Sequence, residues 1–113
     1  MRIYHNPRCS KSRQTLALLQ ERGIEPEIIR YLETPPKASE LQDLLTKLKL
    51  TARELLRRGE EEYKTLDLKR PELSEGELID AMVQHPKLIE RPIVVKGARA
   101  CLGRPPENVL ELL

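Results

Sequence analysis

The stretch Ile3-Tyr4-His5-Asn6-Pro7-Arg8-Cys9-Ser10-Lys11-Ser12-Arg13 decides how the rest of the chain is read. Ile3-Tyr4-His5 has the composition of a short strand, and Asn6-Pro7 ends it. From Ser10 to Arg22 the residues are good helix formers, with Leu16 and Leu19 on one face and Gly23 as the stop. Glu27-Ile28-Ile29-Arg30-Tyr31-Leu32 turns strand-like again and closes at Thr34-Pro35-Pro36. A strand, a helix and a strand within about thirty residues make a βαβ unit, so the two strands should be parallel with a right-handed crossover.

Outward from that unit the pattern changes twice. The middle is helical, with three candidate capping boxes: Ser39-x-x-Gln42, Thr51-x-x-Glu54 and Ser74-x-x-Glu77. The first precedes Leu41, Leu44, Leu45 and Leu48, the spacing of a half-buried helix. The second opens a short helix through Leu55-Leu56-Arg57-Arg58-Gly59, and the third opens one through Leu78, Ile79, Met82 and Val83 that stops before His85-Pro86. Tyr63 to Leu73 reads as irregular. Strand chemistry then returns in Pro92-Ile93-Val94-Val95, with Lys96-Gly97 as a turn and Ala98 to Leu102 as the returning strand of a hairpin. A last helix starts at Pro105 and buries Val109, Leu110, Leu112 and Leu113. The order is that of an α/β, thioredoxin-like fold with a small mixed four-stranded sheet. It predicts one domain over residues 1–113, with a helical insertion at about 38–86.

Composition narrows the function. The chain has 113 residues, 39% apolar and 34% charged, which suits one globular domain with a charged surface. Its longest clear apolar run, Ile93-Val94-Val95, falls far short of the roughly 20 residues of a membrane span. The N-terminus lacks the apolar segment of a signal peptide, so a cytoplasmic protein is expected. A net charge of +2 is too balanced for a general nucleic-acid binder, and the absence of Phe and Trp argues against base-stacking platforms. Two cysteines and two histidines cannot make a disulfide scaffold or a cysteine-rich zinc site. No metal is expected.

Cys9 sits where a strand turns into a helix. Helix N-terminal amides favour an anion there, and Arg8, Lys11 and Arg13 add positive charge. These are conditions that turn a thiol into a nucleophilic thiolate, and the same groups would cradle a tetrahedral oxyanion. The motif is Cys-x-x-Ser, so no resolving thiol is adjacent. Resolution falls to Cys101 or to an external thiol such as glutathione. Cys101 itself, between Ala100 and Leu102 in a strand, reads as structural.

Tyr4-His5-Asn6-Pro7-x-Cys9-x-x-Ser12-Arg13-x-Thr15-Leu16 resembles the active-site signature of the glutaredoxin-linked arsenate reductase family. The likeness continues through Tyr31-Leu32-Glu33-x-Pro35-Pro36, Leu55-Leu56-Arg57, Leu78-Ile79-Asp80, Gln84-His85-Pro86-x-Leu88-Ile89-x-Arg91-Pro92-Ile93-Val94-Val95 and Arg104-Pro105. The resemblance implies reduction of arsenate to arsenite by a monomeric enzyme that uses glutathione as co-substrate and glutaredoxin as partner, with no tightly bound cofactor. It implies Cys9 as nucleophile, Ser12 as hydrogen-bond donor to the thiolate and His5 as the nearby histidine. Arg57, Arg91 and Arg104 would bind the oxyanion, and Pro92 would follow a cis peptide bond beside the site. Guanidinium forks suit such an anion on chemical grounds alone; Arg53, Arg58 and Arg99 read as solvated surface charges. Arg8, Ser10-Lys11 and the end at Leu113 resemble a shorter branch of the family. Two alternatives stand beside this reading: an Spx-type regulator that binds RNA polymerase, and a glutathione-dependent thiol reductase with another substrate.

Overall fold

The computed structural model describes residues 1–113. Its contacts divide the chain into two units. One comprises residues 1–34 and 91–113, and the other residues 35–90.

The first unit holds the sheet. Strand β1 (Arg2–Tyr4) runs into helix α1 (Ser10–Glu21) and then strand β2 (Glu27–Ile29). β1 and β2 pair in parallel, Ile3 opposite Ile28. Strand β3 (Ile93–Lys96) lies antiparallel on the other side of β1, Ile3 opposite Val94. Strand β4 (Arg99–Leu102) closes a hairpin with β3, giving the order β2-β1-β3-β4. This is the mixed sheet of a thioredoxin-like fold. Ile3 and Val94 on the central strands, Leu19 on α1 and Val109 and Leu112 on a terminal 3-10 helix (Pro106–Leu112) form the core of the unit. Burial on both faces suits the continuous apolar run of β3, and truncating such a residue costs about 2–5 kcal/mol.

α1 ends as its sequence requires. Gly23 takes φ +77, a left-handed conformation that closes a helix at little cost to glycine. The hairpin turns at Gly97-Ala98, one residue later than expected, because Lys96 still pairs with Arg99 and Gly97 supplies the positive φ. The terminal 3-10 helix buries Val109 and Leu112 but leaves Leu113 exposed, contrary to expectation: Leu113 lies beyond the last turn.

The second unit is helical: α2 (Ala38–Leu48), α3 (Ala52–Leu55), α4 (Glu61–Thr65), α5 (Glu75–Gln84) and a 3-10 turn at Pro86–Leu88. Leu41, Leu44 and Leu45 are buried on one stripe of α2, and Leu78, Ile79 and Met82 on α5. Thr51 and Ser74 each complete a capping box with the glutamate three residues on. Ser39 does not. Its helix begins two residues earlier, with Lys37 as the N-cap, so Ser39 already lies inside the first turn. α3 stops sooner than its Leu-rich sequence suggests, because Leu56 turns extended (ψ 131) and bridges Ile89. α4 lies partly in the segment read as irregular. Arg53, read as a surface charge, instead donates to the carbonyls of Leu68 and Arg70 and holds that segment down. No helix of the chain is long and apolar enough to cross a membrane.

Candidate active site

The loop that delivers Cys9 is built from its own side chains. The amide of Cys9 donates to the Asn6 carbonyl at 3.0 Å, and that of Arg8 to the Asn6 carboxamide oxygen at 3.0 Å, an Asx turn. The Arg13 guanidinium donates to the Pro7 carbonyl at 2.9 Å. Ser12 is fully buried, and its hydroxyl accepts from the Asn6 amide at 3.0 Å. Cys9 is thereby fixed as the N-cap of α1 in extended geometry (φ −93, ψ 122), its carbonyl accepting the first helical bond from Arg13.

Three influences meet at the sulfur. Partial burial is the largest single one and pushes the thiol pKa up. It is outweighed in sum by the Ser12 amide, by the hydrogen bond and charge of the Arg91 guanidinium, and by the Lys11 amide, so the net direction is down. The Ser12 and Lys11 amides act as hydrogen-bond donors toward the sulfur from the first turn of α1. Arg104 adds a guanidinium Nη1 at 3.9 Å from Sγ, held in turn at 3.2 Å from the Arg91 carbonyl. Arg91 and Arg104 therefore come to Cys9 from the two chain segments that flank the open end of the β3–β4 hairpin, where Ile93 pairs with Leu102. The Arg91–Pro92 peptide bond is cis, as is Arg104–Pro105, which the sequence reading did not anticipate.

Ser12 is placed differently from expectation, and His5 is its partner. The Ser12 hydroxyl, expected on the thiolate, lies 2.6 Å from His5 Nδ1 and 3.0 Å from the Asn6 amide, and Ser12 reaches the sulfur through its own amide. Which of the hydroxyl and Nδ1 donates depends on the ring tautomer. Burial first, and then the charges of Arg30 and Arg13, hold the His5 pKa below its ordinary value and favour the neutral ring. Arg57 lies in the helical unit, clasped by Glu90 at 2.6 Å and Glu60 at 3.2 Å. Arg99 donates to the Glu111 carbonyl. Cys101 is unbridged, as is Cys9; its thiol, pushed up to about 11 by burial and by Glu111, sits 3.7 Å from the Asn108 carbonyl.

Two residues that sequence reasoning passed over tie the site together. Thr15 is fully buried, and its hydroxyl lies 2.8 Å from the Lys11 carbonyl and 3.3 Å from the Gly103 carbonyl. The Gly103 amide donates to the Pro92 carbonyl at 2.9 Å. A Cβ on Gly103 would stand 2.4 Å from the Thr15 hydroxyl and 2.8 Å from the Pro92 ring, so α1, Pro92 and the residue before Arg104 meet where only glycine fits. The signal was present in sequence as polar Ser12 and Thr15 on the stripe that continues to Leu19. No cluster of three His, Cys, Asp or Glu side chains on the chain could hold a metal ion.

Comparison with known proteins identifies the family. The model of the ArsC family matches residues 4–112. The Escherichia coli protein YfgD is 59% identical over the whole chain and 96% of its own length. An arsenate reductase of Neisseria meningitidis is 49% identical over the whole chain and 97% of its own length. Among solved structures, the arsenate reductase of Vibrio cholerae superposes with a TM-score of 0.97 at 56% identity, covering 99% of this chain and 96% of that one. With Cys9, Arg91 and Arg104 gathered on a thioredoxin-like sheet and a family match spanning nearly every residue, the chain belongs to the ArsC family.

Proposed function

We propose that this protein reduces arsenate to arsenite with thiols as the electron source. One observation carries the reading: the Cys9 sulfur lies at a helix N-terminus with its pKa depressed and with the guanidiniums of Arg91 and Arg104 beside it. A thiolate and a site for a tetrahedral oxyanion are thus the same place. The arsenate reductases of similar sequence in Neisseria and Vibrio support arsenate as the anion.

The Cys9 thiolate attacks arsenic(V), forming a sulfur–arsenic bond, and one arsenate oxygen leaves as water after protonation. Arg91 and Arg104 hold the remaining oxygens and the charge that builds on them. Glutathione then attacks the Cys9 sulfur. A sulfur–sulfur bond forms, and the sulfur–arsenic bonding pair passes to arsenic, which leaves as arsenic(III). Two thiols have given two electrons, and Cys9 is left as a mixed disulfide with glutathione. Glutaredoxin removes that glutathione by thiol–disulfide exchange and restores Cys9. His5 and Ser12 act as positioning residues: they lock the loop whose amides face the sulfur. No cofactor or metal enters any step.

The test is arsenate turnover by the purified protein with glutathione and glutaredoxin, monitored as arsenite. Turnover that disappears in Cys9→Ser supports the reading. A folded wild-type protein that alkylates at Cys9 but forms no arsenite with any thiol overturns it in favour of a thiol reductase with another substrate.

A further inference from the structure

A concavity of about 240 Å³ lies against the loop that leads into Cys9, lined by His5, Asn6, Pro7, Arg8, Arg30, Leu32 and Glu33. All seven belong to the sheet-bearing unit. Arg8 and Arg30 bring two guanidiniums, and neither takes part in an ion pair within the chain. Glu33 brings one carboxylate that is likewise unpaired. Leu32 is unusually exposed for a large apolar residue and, with Pro7, gives the concavity a small greasy wall. His5 forms part of the wall while its Nδ1 faces Ser12, so the concavity abuts the hydrogen bonds that fix the Cys9 loop.

Two cations, one anion and a short apolar wall complement an α-amino-acid head group. Its carboxylate takes the guanidinium forks, its ammonium takes the carboxylate of Glu33, and its methylenes lie on Leu32 and Pro7. The volume lies below the range of ligand pockets, which starts at about 300 Å³, so it would hold one end of a ligand and not a whole peptide. Arg8 immediately precedes Cys9, so a ligand anchored on its guanidinium is held one residue from the reacting cysteine.

We propose that this concavity is the subsite for the zwitterionic γ-glutamyl head of the thiol co-substrate, anchored by Arg8, Arg30 and Glu33. The proposal rests on the thiol-dependent reading above and assigns the place from which the second thiol approaches. The anchor converts an encounter between two thiols into a positioned reaction. An occupant carboxylate also offsets the Arg30 charge that acts on His5, so binding should be visible at the imidazole.

The probe is S-methylglutathione, which keeps the charged head but cannot react. Titrated into the wild-type protein, it should move the His5 imidazole resonances, and Arg30→Ala or Arg8→Ala should weaken its binding about tenfold, the usual loss for one charge-assisted contact. Acetylating its amine should weaken binding to the wild type but not to Glu33→Gln. Free glutamate should compete, which separates recognition of the head from recognition of the rest of the peptide. In turnover, the ratio of the glutathione KM to the 2-mercaptoethanol KM should rise about tenfold in Arg30→Ala, because the second thiol carries no head group. Arg30→Gln serves as a second variant; the Arg30 side chain makes no ion pair whose loss would disturb the fold. S-methylglutathione that leaves His5 unmoved, or binds Arg30→Ala as tightly as wild type, overturns the proposal. Should wild-type protein reduce no arsenate with either thiol, the reductase reading falls, and the S-methylglutathione titration still decides the subsite.

Discussion

The two cysteines of this chain lie in the same unit, are both partly buried, and differ in the charges and dipoles around the sulfur. Cys9 caps a helix N-terminus, with the Ser12 and Lys11 amides and two guanidiniums around it, and its pKa is depressed although burial works against it. Cys101 lies on β4 beside the core, where burial and Glu111 push its pKa up to about 11 and Arg99 offsets little of that. Burial acts in the same direction on both. Directed dipoles and positive charge are what separate them, and these come from the position of each sulfur relative to a helix end and a hairpin end.

The largest expected effect divides the pair outright. Cys9→Ser should abolish arsenite formation, whereas Cys101→Ala should retain most of it, since glutathione supplies the second thiol. Loss of activity in both variants, with the fold intact by circular dichroism, would instead point to an internal relay between them. The next effect is a separation in pH. The reactive thiolate of Cys9 is populated as pH rises through its depressed pKa, and that of Cys101 only as pH approaches about 11. Iodoacetamide alkylation, followed by mass spectrometry at each cysteine, should give midpoints at least about two pH units apart, with Cys9 below the free-thiol value of about 8.5. Coincident midpoints would remove the electrostatic distinction between the sites.

The arginines sharpen the comparison further. Losing Arg91 or Arg104 removes a charge-assisted contact at Cys9, worth roughly 1.5–3 kcal/mol, or a factor of about ten to a hundred or more in turnover. Arg91→Lys should restore only part of this, because an ammonium cannot make the planar two-point contact. Arg57→Ala should cost less than either, since Glu60 and Glu90 already claim its guanidinium. Arg99→Ala, whose guanidinium serves the Glu111 carbonyl, should cost least. Arsenite formation and arsenate KM measured on the four alanine variants give the ranking. Near-equal rates in all four would mean that Cys9 has no oxyanion site beside it.

Local signals were legible in the sequence, and contacts between distant segments were legible only in part. Strand, helix and strand around Cys9 followed from periodicity and from Gly23, and both Thr51 and Ser74 announced their capping boxes. Ser39 misled because an identical pattern lay two residues into a helix that Lys37 begins. Leu55-Leu56-Arg57 misled because the bridge from Leu56 to Ile89 overrides helix propensity, a contact no local rule contains. At the site, the thiolate-favouring setting of Cys9 was readable from neighbouring charges, and Arg91 and Arg104 only through resemblance, since nothing near them in sequence says that they meet a sulfur. The hydroxyl of Ser12 went to His5 and Asn6 instead of the sulfur because a buried hydroxyl is satisfied by the loop nearest to it. Gly103 was invisible for the same reason as Leu56: its meaning lies in Thr15 and Pro92.

That junction supports the most specific of the expected effects. Gly103 links the end of β4 to Arg104, its amide holds the Pro92 carbonyl, and its carbonyl faces the Thr15 hydroxyl. A methyl group there meets the Thr15 hydroxyl at 2.4 Å, its Cγ2 at 2.9 Å and the Pro92 ring at 2.8 Å. The proline ring yields by repuckering, but Thr15 is fixed on the buried face of α1, so the strand end must move. Gly103→Ala should therefore destabilise the protein by about 1–3 kcal/mol, the usual cost of overpacking. Because the displaced residue carries Arg104, the variant should also raise the Cys9 alkylation midpoint and lower turnover several-fold, which a cost to stability alone would not do. Thr15→Ala combined with Gly103→Ala removes two of the three clashes and should recover much of the stability and part of the midpoint. Thermal unfolding and the alkylation profile of the single and double variants measure both consequences. A Gly103→Ala protein with wild-type stability and a wild-type Cys9 midpoint would show that Arg104 reaches the sulfur without help from this contact, and that the contrast between the two cysteines depends on the helix end and Arg91 alone.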